Sequence, residues 1–225
     1  MLSKMQRLPE TIGRVGQHGT GRAVRHVVVI GDSVAAGVGV ERGEDTVAGC
    51  LTRALATPAA SWAIHARGGL DASGVRRLLD GPAVRDDLAE ADVVVVSVGV
   101  NDLKAAHGLG RWRTDLDELL GALVQAAPAA VVVLLGMPPV AIFPALPRRL
   151  RVLLEARAGR MDAVGIDVAR RHGVRHLPLG ADLLEVADAF AADGFHPSAR
   201  AHARLSELVV ELLDEPSEGD ADAVG

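Results

Sequence analysis

The sequence predicts an α/β fold, a parallel β-sheet covered by helices on both faces. Two observations carry this. Strand-like and helix-like segments alternate along the chain, and the strand-like runs are apolar throughout, as in "DVVVVSV" at 92–98 and "AVVVLLG" at 130–136. A strand wet on one face alternates apolar and polar residues, whereas one buried on both faces does not. Crossovers through helices run right-handed and leave the joined strands parallel.

The strand-like runs fall at residues 26–31, 61–65 ("SWAIH"), 92–98, 130–136 and 174–179. Between them, Val47, Cys50, Leu51, Ala54 and Leu55 follow helical spacing. Leu116, Leu119, Leu120 and Leu123 form a stripe within 112–127. Residues 148–172 make a long, Arg-rich helical stretch, and Ala201, Leu205, Leu208, Leu212 and Leu213 share one side of 198–213. Asp45, Asp115 and Ser198 stand near helix starts, where a side-chain oxygen accepts a free backbone N–H. With no internal repeat or linker, residues 25–214 read as one domain. Residues 1–24 read as a flexible basic tail and 215–225 as an acidic, disordered one.

The totals bound the function. The 225 residues suffice for one medium domain with a sizeable core. Aromatics make up 2% and Tyr is absent, so Val, Leu and Ala must build most of that core. A formal net charge of −5 offers no general attraction to nucleic acid or to an anionic membrane surface. The single Cys50 rules out an intrachain disulfide. No apolar run in residues 1–25 approaches the length of a secretory signal core and no stretch of the chain could span a bilayer, so the expected location is cytoplasmic.

In parallel α/β sheets, ligands bind beyond the carboxyl ends of the strands. There the sequence places Ser33, then "ARGGLDASG" with Gly68 and Gly69, then "GVNDL" with Asn101, then "GMPPVAIFPALP". Beyond the last run lies "DGFHPS" with Asp193 and His196. A phosphate loop is excluded because no lysine follows Gly31 at the required spacing. A dinucleotide fingerprint is excluded because Gly31, Gly37 and Gly39 are wrongly spaced. No His-Glu-x-x-His or paired-Cys pattern announces a metal site.

A serine hydrolase accounts for more. A serine hydroxyl becomes a useful nucleophile when a histidine accepts its proton, and a carboxylate on the far ring nitrogen holds that histidine in one tautomer. Asp193 and His196 are three residues apart, within reach of one turn of chain. The oxyanion formed on attack needs donors fixed beforehand. A backbone N–H beside Ser33, a glycine N–H and the Asn101 amide are candidates, and the small Ala35, Ala36 and Gly37 keep the hydroxyl open.

Gly31-Asp32-Ser33, a central glycine, Gly99-Val100-Asn101-Asp102 and Asp193-Gly194-Phe195-His196 occur in an order that resembles the SGNH hydrolases, or GDSL esterases and lipases. "PPVAIFPALPRRLR" resembles a subgroup common in high-GC Gram-positive bacteria. The resemblance implies a three-layer α/β/α sandwich, flavodoxin-like, with a five-stranded parallel sheet. It implies small ester, thioester or lysophospholipid substrates and no cofactor. By position, Ser33 is nucleophile and first oxyanion donor, Asn101 the side-chain donor, His196 the base and Asp193 its orienting acid. Val34 stands where the family usually has Leu, and no Asn precedes the central glycine. Gly69 is the chosen donor because "LDASGVRRLL" matches the family's helix start, with Gly68 the alternative.

Asp32 and Asp102 are expected to support the loops rather than react. Pro139 and Phe143, with Val140, Ile142 and Leu146, suit either a rigid loop or an acyl-chain wall. His65, His107, His172, His176 and His202 lack a carboxylate in comparable strand-end context and read as surface or packing residues. Two rivals share the fold: a carbohydrate O-deacetylase, for which Trp112 is the available stacking platform, and a binding protein without turnover.

Overall fold

The computed structural model describes residues 8–140, 143, 148–180 and 188–216. In chain order the elements are β1 (Val15–Gly19), β2 (Arg25–Gly31), α1 (Val47–Leu55), β3 (Ala59–Ala66), α2 (Ala72–Leu78), α3 (Pro82–Ala89) and β4 (Val93–Ser97). There follow α4 (Val100–Lys104), α5 (Leu109–Ala126), β5 (Val131–Leu135), α6 (Arg148–Arg171), β6 (Arg175–Leu177) and α7 (Ala199–Asp214). The sheet order is β1-β3-β2-β4-β5-β6, parallel throughout except that β1 runs antiparallel to β3.

The apolar runs become strands because alternate residues of each enter different cores. Val28, Ile30, Val94, Val96, Val132 and Leu134 pack against the stripe Leu116, Leu119, Leu120 and Leu123 of α5. Val27, Val29, Val95, Val133 and Leu135 pack on the other face with Leu51 of α1 and Leu205 and Val209 of α7. Successive strand side chains point to opposite faces, so an unbroken Val run fills two layers at once. Between α1 and α7, His202 Nδ1 accepts the Val47 amide at 3.2 Å. Burial, and then the neighbouring His196, pushes the His202 imidazole down to about 4, which leaves it neutral.

Three expectations are corrected. The sheet has six strands, not five. The sixth, β1, comes from the stretch read as a flexible tail, where "VGQHG" carries no apolar alternation and its order comes from pairing with the open edge of β3. Asp115 lies inside α5, paired with Arg111 at 3.1 Å, rather than at its start. Asp45 does stand near a helix start, ending a short 3₁₀ turn, Gly43–Asp45, with Thr46 between it and α1. Ser198 does cap α7, its hydroxyl accepting from the Ala201 amide at 3.3 Å.

The junction of β2 and β4 sets where the chain leaves the sheet. Gly31 has φ of +149°, and a Cβ there would lie 2.0 Å from the Ser97 carbonyl oxygen. Immediately after it, the Asp32 amide donates to that same oxygen at 3.0 Å, and the Ser97 hydroxyl donates to Asp32 Oδ1 at 2.9 Å. The Asp32 side chain is buried, and this desolvation raises its carboxyl from 3.8 to about 6, against the hydrogen bonds from Ser97 and Val34 that lower it.

Gly31→Ala is expected to cost about 3 kcal/mol in urea denaturation, because the added methyl meets backbone that cannot yield. Asp32 has a pKa raised by folding, so the native state holds the proton more tightly. Its contribution to stability is present below about pH 4 and is lost as pH rises through about 6. Asp32→Asn is therefore expected to gain on the wild type between pH 4 and 7, by on the order of 3 kcal/mol. Parallel urea titrations of the two proteins check this.

Candidate active site

Each sequence-selected residue lies beyond the carboxyl end of a strand or in the segment that enters α7. Ser33 opens the tight turn after β2. The turn is closed by Ala36 N–H to Asp32 O at 2.9 Å and Val38 N–H to Ser33 O at 3.0 Å. Asp32 Oδ1 accepts the Val34 amide at 3.0 Å, so its carboxyl binds the loop and does not meet a histidine. Ala35 and Ala36 are buried beneath the turn, and no partner among the described residues takes the Ser33 amide.

Asp193 and His196 form one unit. Asp193 Oδ2 meets His196 Nδ1 at 2.6 Å, while Oδ1 accepts the amides of Phe195 at 2.9 Å and His196 at 3.0 Å. The Asp193 side chain is 1% exposed. Burial raises its carboxyl, but the hydrogen bonds from the His196 ring and the two amides together outweigh that and hold it below the usual carboxylate range. An ionised carboxylate at Nδ1 places the ring proton there and leaves the Nε2 lone pair as acceptor.

The loop after β3 separates the two glycines. The Gly68 amide donates to Glu10 Oε1 at 2.7 Å, whereas the Gly69 amide, at φ +86°, has no partner among the described residues. Asn101 Nδ2 donates one of its two hydrogens to Leu70 O at 2.8 Å, which holds the side-chain amide against this loop. The loop also reaches the serine: a Cβ on Gly68 would lie 3.7 Å from Ser33 Cβ. Asp102 is fully buried behind it, accepting from the Ala72 amide at 3.1 Å and pairing with His107 Nδ1 at 3.0 Å. Burial raises the Asp102 carboxyl more than these contacts lower it.

Ser33 and His196 line one cleft with a cavity volume of about 80 Å³. No direct hydrogen bond joins Ser33 Oγ to His196 Nε2 among the described residues; such contacts commonly tighten only around substrate. Gly69 and Asn101 do not line the cavity and connect to it through the Gly68–Ser33 approach. The chain's three phenylalanines all gather here. Phe143 stacks on Phe195 at 4.9 Å between ring centroids and meets Phe190 at 5.8 Å, and the Phe195 ring stands edge-on to His196 at 5.1 Å. Phe143 thus lines the cleft, but Pro138 does so in place of Pro139. Ile142 and Leu146 lie outside the described residues.

Further readings change. His65, His107, His172 and His176 do pair with carboxylates, those of Asp87, Asp102, Asp117 and Asp162 at 2.6 to 3.0 Å. A His–Asp pair therefore does not set His196 apart; what does, among the described histidines, is that it lines the same cleft as Ser33. Trp112 is 2% exposed and its Nε1 donates to Met161 O at 2.9 Å, so it offers no surface platform. Leu179, Phe190 and Glu10 carried no signal in sequence, since their places follow from loop paths. Among the described residues, Asp71, Asp102 and His107 bring ligand-type atoms within 4.8 Å of one another. Asp71 Oδ1 accepts the Gly74 amide, Asp102 Oδ2 the Ala72 amide, and Asp102 Oδ1 meets His107 Nδ1, so hydrogen bonds among protein groups account for this cluster.

Known proteins share this fold. The chain is 29% identical over 196 residues to a GDSL-like esterase of Mycobacterium tuberculosis, an alignment covering 84% of this chain and 61% of that relative. Among solved structures, an extracellular lipase from Streptomyces rimosus superposes with a TM-score of 0.65 at 20% identity, covering 84% of this chain and 100% of the lipase. A phospholipase A1 from Streptomyces albidoflavus gives 0.64 at 19% identity, over 84% and 99%. At such identities the likeness is one of fold. The model of the GDSL-like Lipase/Acylhydrolase family matches residues 29–204, most of the chain from β2 into α7, and the protein belongs to that family.

Proposed function

We propose that this protein is a serine hydrolase that cleaves carboxylic esters or thioesters of small acyl groups through an acyl-enzyme. The observation that carries this is the joint lining of one apolar cleft by Ser33 and His196, with Asp193 bonded to the far nitrogen of that histidine. Ser33 Oγ attacks the substrate carbonyl carbon as its proton passes to His196 Nε2, and Asp193 stabilises the imidazolium. The oxyanion is met by the amides of Ser33 and Gly69, which have no partner among the described residues, and by the remaining Asn101 N–H, donors held in place before the charge develops. On collapse, His196 returns the proton to the leaving alcohol or thiol, and the acyl group stays on Ser33. Water then repeats the sequence and releases the acid. The reaction uses protein groups and water alone.

The cleft supports the choice of substrate. Val34, Phe143, Leu179, Phe190, Phe195 and Leu205 surround the reacting pair and suit an acyl chain, whose burial contributes about 0.8 kcal/mol per CH₂. An acetylated sugar finds less, because Trp112 is enclosed. A binding role without turnover is disfavoured because Ser33 and His196 share the cleft and Asp193 is bonded to that histidine.

Purified protein is expected to hydrolyse p-nitrophenyl butyrate, and Ser33→Ala to lower kcat by at least about 10⁴-fold. Turnover retained in that variant overturns the assignment. The rate should fall on acidification, because only a neutral imidazole accepts the serine proton. A rate that holds on acidification removes His196 as the base.

A further inference from the structure

The segment before β1 lies outside the family match, which begins at residue 29, yet it joins two loops of the site. It laces onto the stretch after Ser33, and at its end onto β3, where Ile64 N–H donates to Arg14 O at 2.7 Å. Gly39 N–H donates to Pro9 O at 3.1 Å, Thr11 N–H to Ala36 O at 3.1 Å, Ile12 N–H to Glu41 O at 2.9 Å, and Gly43 N–H to Ile12 O at 2.7 Å. From this strap Glu10 reaches across to the other loop, where its Oε1 takes the Gly68 amide at 2.7 Å. Arg14 closes the bracket: it pairs with Glu10 Oε2 and donates from Nη1 to Ala66 O at 2.6 Å.

The consequence falls on the neighbouring peptide. Gly68 is held at its N–H by Glu10, and Leu70 is held at its carbonyl by Asn101. The Gly69 amide stands between these two anchors, without a partner among the described residues and at a positive φ. A loop containing two adjacent glycines samples many backbone conformations, and a donor that must be oriented in advance cannot tolerate that freedom. We propose that Glu10, braced by Arg14, is a positioning residue that locks the Gly68–Gly69 loop so that the Gly69 N–H is presented to the oxyanion. This rests on the hydrolase reading above. It assigns to an N-terminal strap, outside the matched family segment, the task of coupling the nucleophile turn to the oxyanion loop.

The Glu10 side chain is one-third exposed, and its hydrogen bonds are to the Gly68 amide and the Arg14 guanidinium. Glu10→Ala is expected to lower kcat for p-nitrophenyl butyrate about ten- to a hundredfold, short of the ~10²–10³ for outright loss of an oxyanion donor. KM should stay within about twofold, because ground-state binding is untouched. Glu10→Gln keeps an oxygen for the Gly68 N–H and should restore kcat to within about threefold of wild type. Amide hydrogen exchange at Gly68, followed by NMR, should accelerate in Glu10→Ala and not in Glu10→Gln. If the wild type turns over and Glu10→Ala matches its kcat, the positioning role is overturned while the hydrolase stands. Equal loss in both variants, with a matching fall in Tm, also overturns it in favour of a merely structural contact. If the wild type hydrolyses no ester and Ser33 is not labelled by a fluorophosphonate, the hydrolase reading falls and the positioning role with it.

Discussion

The site depends on the close approach of β2 and β4 at Gly31 and Ser97. With no side chain at residue 31, the Ser97 carbonyl comes near enough to accept the Asp32 amide, and the Ser97 hydroxyl reaches the Asp32 carboxyl. The turn presenting Ser33 inherits its direction from this contact, and the buried Asp32 carboxyl tightens the turn from below through the Val34 amide. Burying a carboxyl there costs stability at neutral pH, which is a common trade where chemistry requires a constrained backbone.

Around that fixed point the other groups arrive on independent elements. Gly69 follows β3, Asn101 lies in the first turn of α4 after β4, and Asp193 with His196 precede α7. Asn101 is held by Leu70, His196 by Asp193, and Asp193 by two backbone amides. Preorganisation of this kind is what makes hydrogen-bond donors effective, since their orientation is settled in folding rather than at the moment of reaction. The three phenylalanines, in a protein otherwise built from aliphatic residues, close the cleft beside the histidine.

Much of this was legible in the amino-acid order. The Val runs announced strands covered on both faces, and the blocks containing Ser33, Asn101, Asp193 and His196 announced groups at strand ends. Other features were not. β1 has no apolar alternation, because an edge strand in the antiparallel position owes its order to backbone pairing with β3. Four histidines outside the site acquired carboxylate partners 5 to 55 residues away, which no local pattern could reveal. Pro138 rather than Pro139 meets the cleft because the path of the loop, not its composition, decides which ring turns inward.

Sequence alone determined the layered α/β class and the burial of its strands, which follow from periodicity, and the identity of the candidate reacting side chains, which follow from residue type after strand-like runs and from the resemblance of the ordered blocks to a known family. The tertiary structure alone decided which glycine amide is left free. Glu10 is 58 residues from Gly68, and their hydrogen bond exists because a strap from the N-terminal side crosses between two loops. Local propensity governs neighbours along the chain. Contacts across such distances are set by how the elements pack, and that packing engages the Gly68 amide while the Gly69 amide has no partner among the described residues.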